Sequence, residues 1–209
     1  MHTRIAEFLL SVGAVKLQPR DPFTWTSGIQ SPIYCDNRML YGHPEARSFV
    51  VEQLASRVKS LHIPADVIAG TATAAIGWGA LVADRLDLPF VYVRSKPKEH
   101  GAKKRIEGDM KQGQHVVLIE DLLSTGGSAV SSVEVLRTES NATVSDVVAI
   151  FTYEFLAARE SAMEAKVTLH PLTTISTLLE AAQQQDRISH EEAQMVLDFV
   201  RDPQTWGTR

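Results

Sequence analysis

Apolar residues recur along this chain with two different periods. Ile5, Phe8, Leu9 and Val12 share one helical face, which Gly13 closes. After Pro44, a residue suited to a helix's first turn, Phe49, Val50, Leu54, Val58 and Leu61 repeat that spacing. Short apolar runs then take over at Val67 to Ala69, Phe90 to Val93, Val116 to Ile119, Val147 to Phe151 and Val167 to Leu169, each of strand length. Between them the pattern predicts helices from about Ala74 to Leu86, Ser128 to Glu139 and Phe155 to Lys166. Ser189-x-x-Glu192 reads as a capping box for a last helix carrying Val196 and Val200. This βαβ rhythm predicts an α/β fold with a mainly parallel central sheet flanked by helices. A stretch lying mainly within residues 11–40, irregular and rich in Pro, Gly and aromatics, is expected to form a small N-terminal hood over the sheet edge. No internal repeat or low-complexity linker divides the chain, so a single domain over 1–209 is expected.

The segment HVVLIEDLLSTGGSA, His115 to Ala129, carries the most chemistry. An apolar strand ends in Glu120 and Asp121, at the carboxyl edge where open α/β sheets bind ligands. Ser124, Thr125, Gly126, Gly127 and Ser128 follow and lead into a helix with Ala129, Val133 and Leu136 on one face. Glycines admit an anion close to the backbone, hydroxyls add short donors, and a helix N-terminus favours negative charge, so a phosphate fits the turn. Carboxylates repel phosphate, and a sugar phosphate resolves the conflict: ribose hydroxyls donate to the acids while the phosphate sits in the turn. There is no Gly-Lys-Ser/Thr of a nucleoside-triphosphate loop and no G-x-G-x-x-G after a strand. An ordinary strand-turn-helix connection is the plain alternative, but it does not need two acids, three hydroxyls and two glycines in nine consecutive positions.

Three other segments bear on the site. After Val93, the residues Arg94, Lys96, Lys98, Lys103, Lys104 and Arg105 crowd together with His100, six of the chain's 21 Lys and Arg in a protein of net charge −4. Such a run is commonly a solvated face. Here it follows a strand's carboxyl end and is long enough, over about 95–113, to be a mobile lid whose positive charge meets a polyphosphate. Ser27 to Asn37 has Gly28 and Pro32 setting a tight path, with Tyr34, Cys35, Asp36 and Asn37 offering polar partners. From its residues alone it reads equally well as a polar loop around a core tyrosine. Gly70 to Ala75, GTATAA, is either a pyrophosphate-binding loop or a small-residue turn that allows close packing.

Composition is that of a soluble globular protein, with 44% hydrophobic and 22% charged residues. No run approaches a membrane span, and Glu7 interrupts the order of a signal peptide. A lone cysteine, Cys35, excludes an intrachain disulfide and suits a reducing cytoplasm. The sequon Asn141-Ala142-Thr143 has no consequence without secretion.

Glu120-Asp121-Leu122-Leu123-Ser124-Thr125-Gly126-Gly127-Ser128 resembles the phosphoribosyl-pyrophosphate (PRPP) motif of type I phosphoribosyltransferases. Phe23 to Arg38, FTWTSGIQSPIYCDNR, resembles the base segment of the orotate phosphoribosyltransferases, and Arg94 to Gly101, RSKPKEHG, their mobile catalytic loop. The resemblance extends over essentially the whole chain. It implies transfer of 5-phosphoribosyl from PRPP to N1 of orotate, giving orotidine 5'-monophosphate and pyrophosphate in de novo pyrimidine (UMP) biosynthesis. PRPP is then expected on Glu120 to Ser128, with Arg94, Lys96, Lys98 and His100 clamping pyrophosphate; Lys98, His100 and Asp121 are the catalytic candidates. Orotate is expected at Tyr34, Cys35 and Ser124. Mg²⁺ is the implied cofactor, bridging substrate oxygens without a dedicated protein cage. The family also implies a cis peptide at about Ala72-Thr73 and a homodimer in which Arg94, Lys98 and His100 close over the partner's site.

Departures accompany the match. Thr26 and Ala74 stand where some relatives carry lysine, and Tyr153-Glu154 where others place an arginine for the orotate carboxylate; Arg38 is the expected substitute. A purine-base phosphoribosyltransferase is one alternative, since the PRPP turn does not read the base. A PRPP-sensing regulator that binds nucleic acid is the other, disfavoured by the acidic balance and by the absence of a preceding helix-turn-helix. Neither nucleic acid nor a membrane is an expected partner.

Overall fold

A computed structural model describes residues 2–25, 28–97 and 104–207. From the N-terminus, α1 (His2–Ser11) leads to four short strands, β1 (Val15–Leu17), β2 (Phe23–Thr24), β3 (Gln30–Ser31) and β4 (Ile33–Cys35), and to a 3-10 turn over Asn37–Gly42. α2 (Pro44–Lys59), β5 (Val67–Thr71), α3 (Ile76–Leu86), β6 (Phe90–Val93), β7 (Ile106–Glu107), β8 (His115–Leu123) and α4 (Gly127–Ser140) follow. The chain continues through β9 (Thr143–Thr152), α5 (Leu156–Glu164), β10 (Thr168–Thr174), α6 (Ile175–Gln184) and α7 (His190–Arg201).

The six-stranded sheet runs β10-β9-β8-β5-β6-β7, parallel except for the antiparallel edge pair β6-β7. Alternation along its strands divides the apolar residues between two layers. Val116 and Leu118 join Val67, Ala69 and Val147 on the face covered by Ala129, Val133 and Leu136 of α4. Val117 and Ile119 join Ile68, Val148 and Ile150 on the face covered by α1, α2, α3 and α6. Burial on both faces explains why these strands read as unbroken apolar runs.

The expected α/β architecture is present, with differences that have physical causes. β8 does not stop at Ile119: it pairs with β9 through Glu120↔Ala149 and Leu122↔Phe151, so the two acids lie on the strand's last turn of pleat. β10 extends through His170 and Pro171 because it is an edge strand, where a missing N–H costs no ladder bond. α6 falls after the last predicted strand and lies outside the predicted elements; Thr174 caps it, accepting from Thr177 N. The hood is regular in part, with β1 paired to β4 and β2 to β3. The capping box at Ser189 and Glu192 forms in both directions.

Candidate active site

The carboxyl edge of the sheet places Glu120 to Ser128 beside the loop that follows β5. Together they line a cavity of about 250 Å³, bounded by Thr71 to Ala74, Glu120, Asp121, Leu122 and Ser124 to Ser128. The Ala72-Thr73 peptide is cis, at the position the resemblance indicates. Gly126 ends the turn at φ +81° and α4 begins at Gly127 with no side-chain cap. The first-turn N–H groups are thus left open to the cavity, which is the arrangement an anion requires. The hydroxyls of Ser124, Thr125 and Ser128 surround that end.

The two acids are not equivalent. Glu120 is buried, accepting from Asp121 N at 3.1 Å and from Ser128 Oγ at 3.3 Å. Burial first, and the neighbouring Asp121 charge second, push its carboxyl up to about 8. The Thr71 hydroxyl stands close enough to Glu120 to lower it slightly, yet finds no partner at hydrogen-bond geometry. Asp121 is also raised by burial, with hydrogen bonding to Glu120 and to the main chain opposing the shift. Both carboxyls are thus held above the ordinary carboxylate range, each by its burial at the sheet's edge. A folded carboxyl above its unfolded value of 4.5 makes the folded state bind more protons, so stability falls as pH rises from about 5 toward 8. Glu120→Gln is expected to flatten that decline, measured as melting temperature against pH; an unchanged slope would contradict the assignment.

A second cavity, of about 490 Å³, adjoins the first at Leu122 and Ser124 and is completed by Phe23, Thr24, Trp25, Tyr34, Cys35 and Tyr153. Its walls are aromatic: Phe23 and Tyr34 lie 5.9 Å apart, and Trp25 and Tyr153 5.7 Å. Burial, with Asp121 and Asp36 nearby, raises the Cys35 thiol well above its usual range, so it is neutral at physiological pH. Tyr34, Cys35 and Ser124 are therefore brought together as expected. Trp25 and Tyr153 form a wall that sequence reading missed, since they are far apart in the chain and meet only through the hood's seat on the end of β9. A larger cleft, about 630 Å³, lies between Pro19, Pro22 and the C-terminal Trp206, away from both acids; its Arg201 is already paired with Asp198.

Other expected residues lie elsewhere. Arg38 is absent from the aromatic cavity's lining: its guanidinium is held as a fork by Asp36 at 2.7 and 2.8 Å, two residues away. Glu154 caps α6 instead, accepting from Ser176 N at 3.0 Å. Arg94 and Lys96 line neither cavity within one chain, because β5 separates β6 from β8. The Arg94 side chain reaches Glu107 at 3.4 Å, and Lys96 is exposed. Arg105 pins the base of the loop, donating to Arg94 O at 2.6 Å and to Ser131 of α4 at 3.1 Å. Lys98 and His100, with Thr26, lie outside the described residues. Among the described residues no group of three or more His, Cys, Asp or Glu could hold a metal ion, and no helix is long and apolar enough to cross a membrane.

Known proteins are similar to this chain in sequence and in fold. A family model described as the phosphoribosyl transferase domain matches residues 39–166. Orotate phosphoribosyltransferase of Listeria monocytogenes serotype 4b (strain F2365) is 46% identical over 204 residues, 98% of this chain and 97% of the relative. That of Bacillus cereus (strain ATCC 10987 / NRS 248) is 46% identical over 210 residues, covering 100% of both. The crystal structure of orotate phosphoribosyltransferase from Aeropyrum pernix superposes with a TM-score of 0.75 at 31% identity, covering 86% of this chain and 98% of that one.

Proposed function

The chain belongs to the orotate phosphoribosyltransferases, and on that premise we propose that its two adjoining cavities hold PRPP and orotate, with the phosphoribosyl group passing between them. The observation that carries this reading is the shared boundary. Ser124 and Leu122 line both cavities, so a ribose seated on the acids presents its C1 toward the aromatic cavity. There the orotate N1 gives up its proton, which leaves with pyrophosphate, and forms a bond to C1 as the bond from C1 to the pyrophosphate oxygen breaks, giving orotidine 5'-monophosphate.

The residues divide the work by position. The turn from Ser124 to Ser128 and the open N-terminus of α4 seat the 5-phosphate. Asp121 accepts from the ribose hydroxyls and stabilises the positive charge that develops at C1, with the more deeply buried Glu120 beside it in the same cavity wall. The loop Thr71 to Ala74 offers its backbone to pyrophosphate. Phe23, Trp25, Tyr34 and Tyr153 clasp the base as a planar ring. None of these described lining residues is cationic, so neutral donors and the main chain would hold the orotate carboxylate unless Arg38 leaves Asp36.

The donor set suits Mg²⁺: hard carboxylate oxygens stand beside a cavity for substrate oxygens, with Asp121 and Glu120 as the groups that would hold the ion through ribose and water. When bound, Mg²⁺ neutralises the departing pyrophosphate. Lys98 and His100 complete the charge of the lid. That Arg94 and Lys96 line neither cavity of their own chain supports a homodimer in which the lid serves the partner's site. A cytoplasmic location fits the lone Cys35, which leaves the chain without an intrachain disulfide. Mixing protein, PRPP, orotate and Mg²⁺ is expected to release pyrophosphate, and chelating the metal to stop release. No release with Mg²⁺ present, with orotate or with adenine, hypoxanthine or xanthine in its place, would favour the regulator over the enzyme.

A further inference from the structure

The 3-10 turn Asn37–Gly42 lines neither cavity, yet it sends one part-buried side-chain bond to the end of β8 and another to the loop after β5, the two segments that form the PRPP cavity. Asn37 is 1% exposed, and its Nδ2 donates to the main-chain carbonyl of Asp121 at 2.7 Å. That carbonyl needs an outside donor: β5 pairs with β8 only as far as Gly70↔Ile119, two residues short of Asp121. On its other side Asn37 Oδ1 accepts from the Cys35 thiol at 3.4 Å, and Cys35 lines the base cavity. Four residues on, Tyr41 donates from its hydroxyl to the carbonyl of Ala74 at 3.0 Å, in the loop after β5. The Tyr41 ring stacks on buried Trp78, centroids 4.4 Å apart, and Arg47 of α2 anchors the Tyr41 carbonyl at 2.9 Å. Gly77 makes room for this contact, since a Cβ there would lie 2.6 Å from the Tyr41 hydroxyl.

We propose that this turn is a brace that sets the spacing between the acid strand, the loop after β5 and the base cavity, with Asn37 and Tyr41 as positioning residues. Both act through main-chain carbonyls, so they fix where the loops stand without touching substrate. Each carries a different part of the load. Tyr41 holds only the PRPP cavity, through Ala74, whereas Asn37 ties the PRPP cavity at Asp121 to the base cavity at Cys35. Placement errors of an ångström or less at such loops are felt in binding and turnover, which makes the two bonds measurable.

The inference rests on the phosphoribosyltransferase reading, so its test measures PRPP affinity by calorimetry as well as KM for both substrates. Tyr41→Phe keeps the ring stack and is expected to melt close to the wild type while weakening PRPP binding on the order of threefold to tenfold, leaving KM for orotate unchanged. Gly77→Ala, which improves helix propensity, is expected to reproduce that effect by displacing the hydroxyl and adjoining ring edge of an intact Tyr41. Asn37→Ala is expected to raise KM for both substrates. Wild-type PRPP affinity in both Tyr41→Phe and Gly77→Ala, or losses that only track unfolded protein, would overturn the brace. A wild-type protein that binds PRPP but does not turn over orotate would count against the base assignment, while the PRPP affinities of the variants would still decide the brace.

Discussion

Replacing Asp121 with asparagine is expected to cut kcat/KM by on the order of a hundredfold or more while leaving the fold intact. Asp121 sits on the cavity wall with its main chain fixed on both sides, by the β8-β9 pairing and by the Asn37 amide, so the loss falls on chemistry rather than folding. Asparagine is isosteric and retains an acceptor oxygen. What it loses is the negative charge proposed to face the ribose as C1 becomes electron-poor. The neighbour responds: Asp121's charge is the second cause of the raised Glu120 carboxyl, so its removal brings Glu120 back toward the ordinary carboxylate range. Any acid limb in the variant's residual activity should therefore report Glu120 titrating below its wild-type value. Steady-state kinetics against pH, with circular dichroism as the folding control, check both parts; activity within about threefold of wild type would remove Asp121 from the mechanism.

Gly126→Val is expected to abolish detectable PRPP binding and to lower the melting temperature, whereas Gly127→Ala is expected to be tolerated. The turn needs φ +81° at Gly126, a conformation costing a β-branched residue about 1–3 kcal/mol, and any Cβ there would lie 3.3 Å from the Cα of Ala158 on α5. Valine must either push α5 away or unwind the start of α4, and the phosphate seat is that start. At Gly127 an added methyl would meet Thr125 Oγ1 at 3.8 Å, an ordinary contact distance, and alanine is the better helix former. The two adjacent glycines thus separate a backbone requirement from simple smallness. Thermal melts and PRPP calorimetry on the pair measure it, and equal behaviour of the two variants would refute the turn geometry.

Local signals carried most of the fold and the half of the candidate site built from the two acids and the glycine turn. The run Val116 to Ser128 is contiguous, so an apolar strand, two acids, a glycine turn and a helix start can be read without knowing any tertiary contact. The depth of Glu120 could not be read, because it depends on how far β9 continues beside it. His170 and Pro171 look like a strand's end until β10 proves to be the edge of the sheet. α6 was legible in principle, with Ile175, Leu178, Leu179 and Ala182 at helical spacing, but Thr174 belongs to both the strand and the cap. The base cavity was half visible. Tyr34 and Cys35 come from one segment, but Trp25 meets Tyr153 only in the folded state. Arg38 reads as an available cation in the sequence, but its fork is held by Asp36, a pairing set by the fold of the 3-10 turn.

The claim that joins these elements is that the cavity behind Ser124 selects orotate. The most direct measurement supplies PRPP and Mg²⁺ with orotate, adenine, hypoxanthine or xanthine separately and follows nucleotide formation with pyrophosphate release. The account predicts orotidine 5'-monophosphate and equimolar pyrophosphate with orotate, and no nucleotide from the three purines. Faster consumption of any purine than of orotate would contradict it.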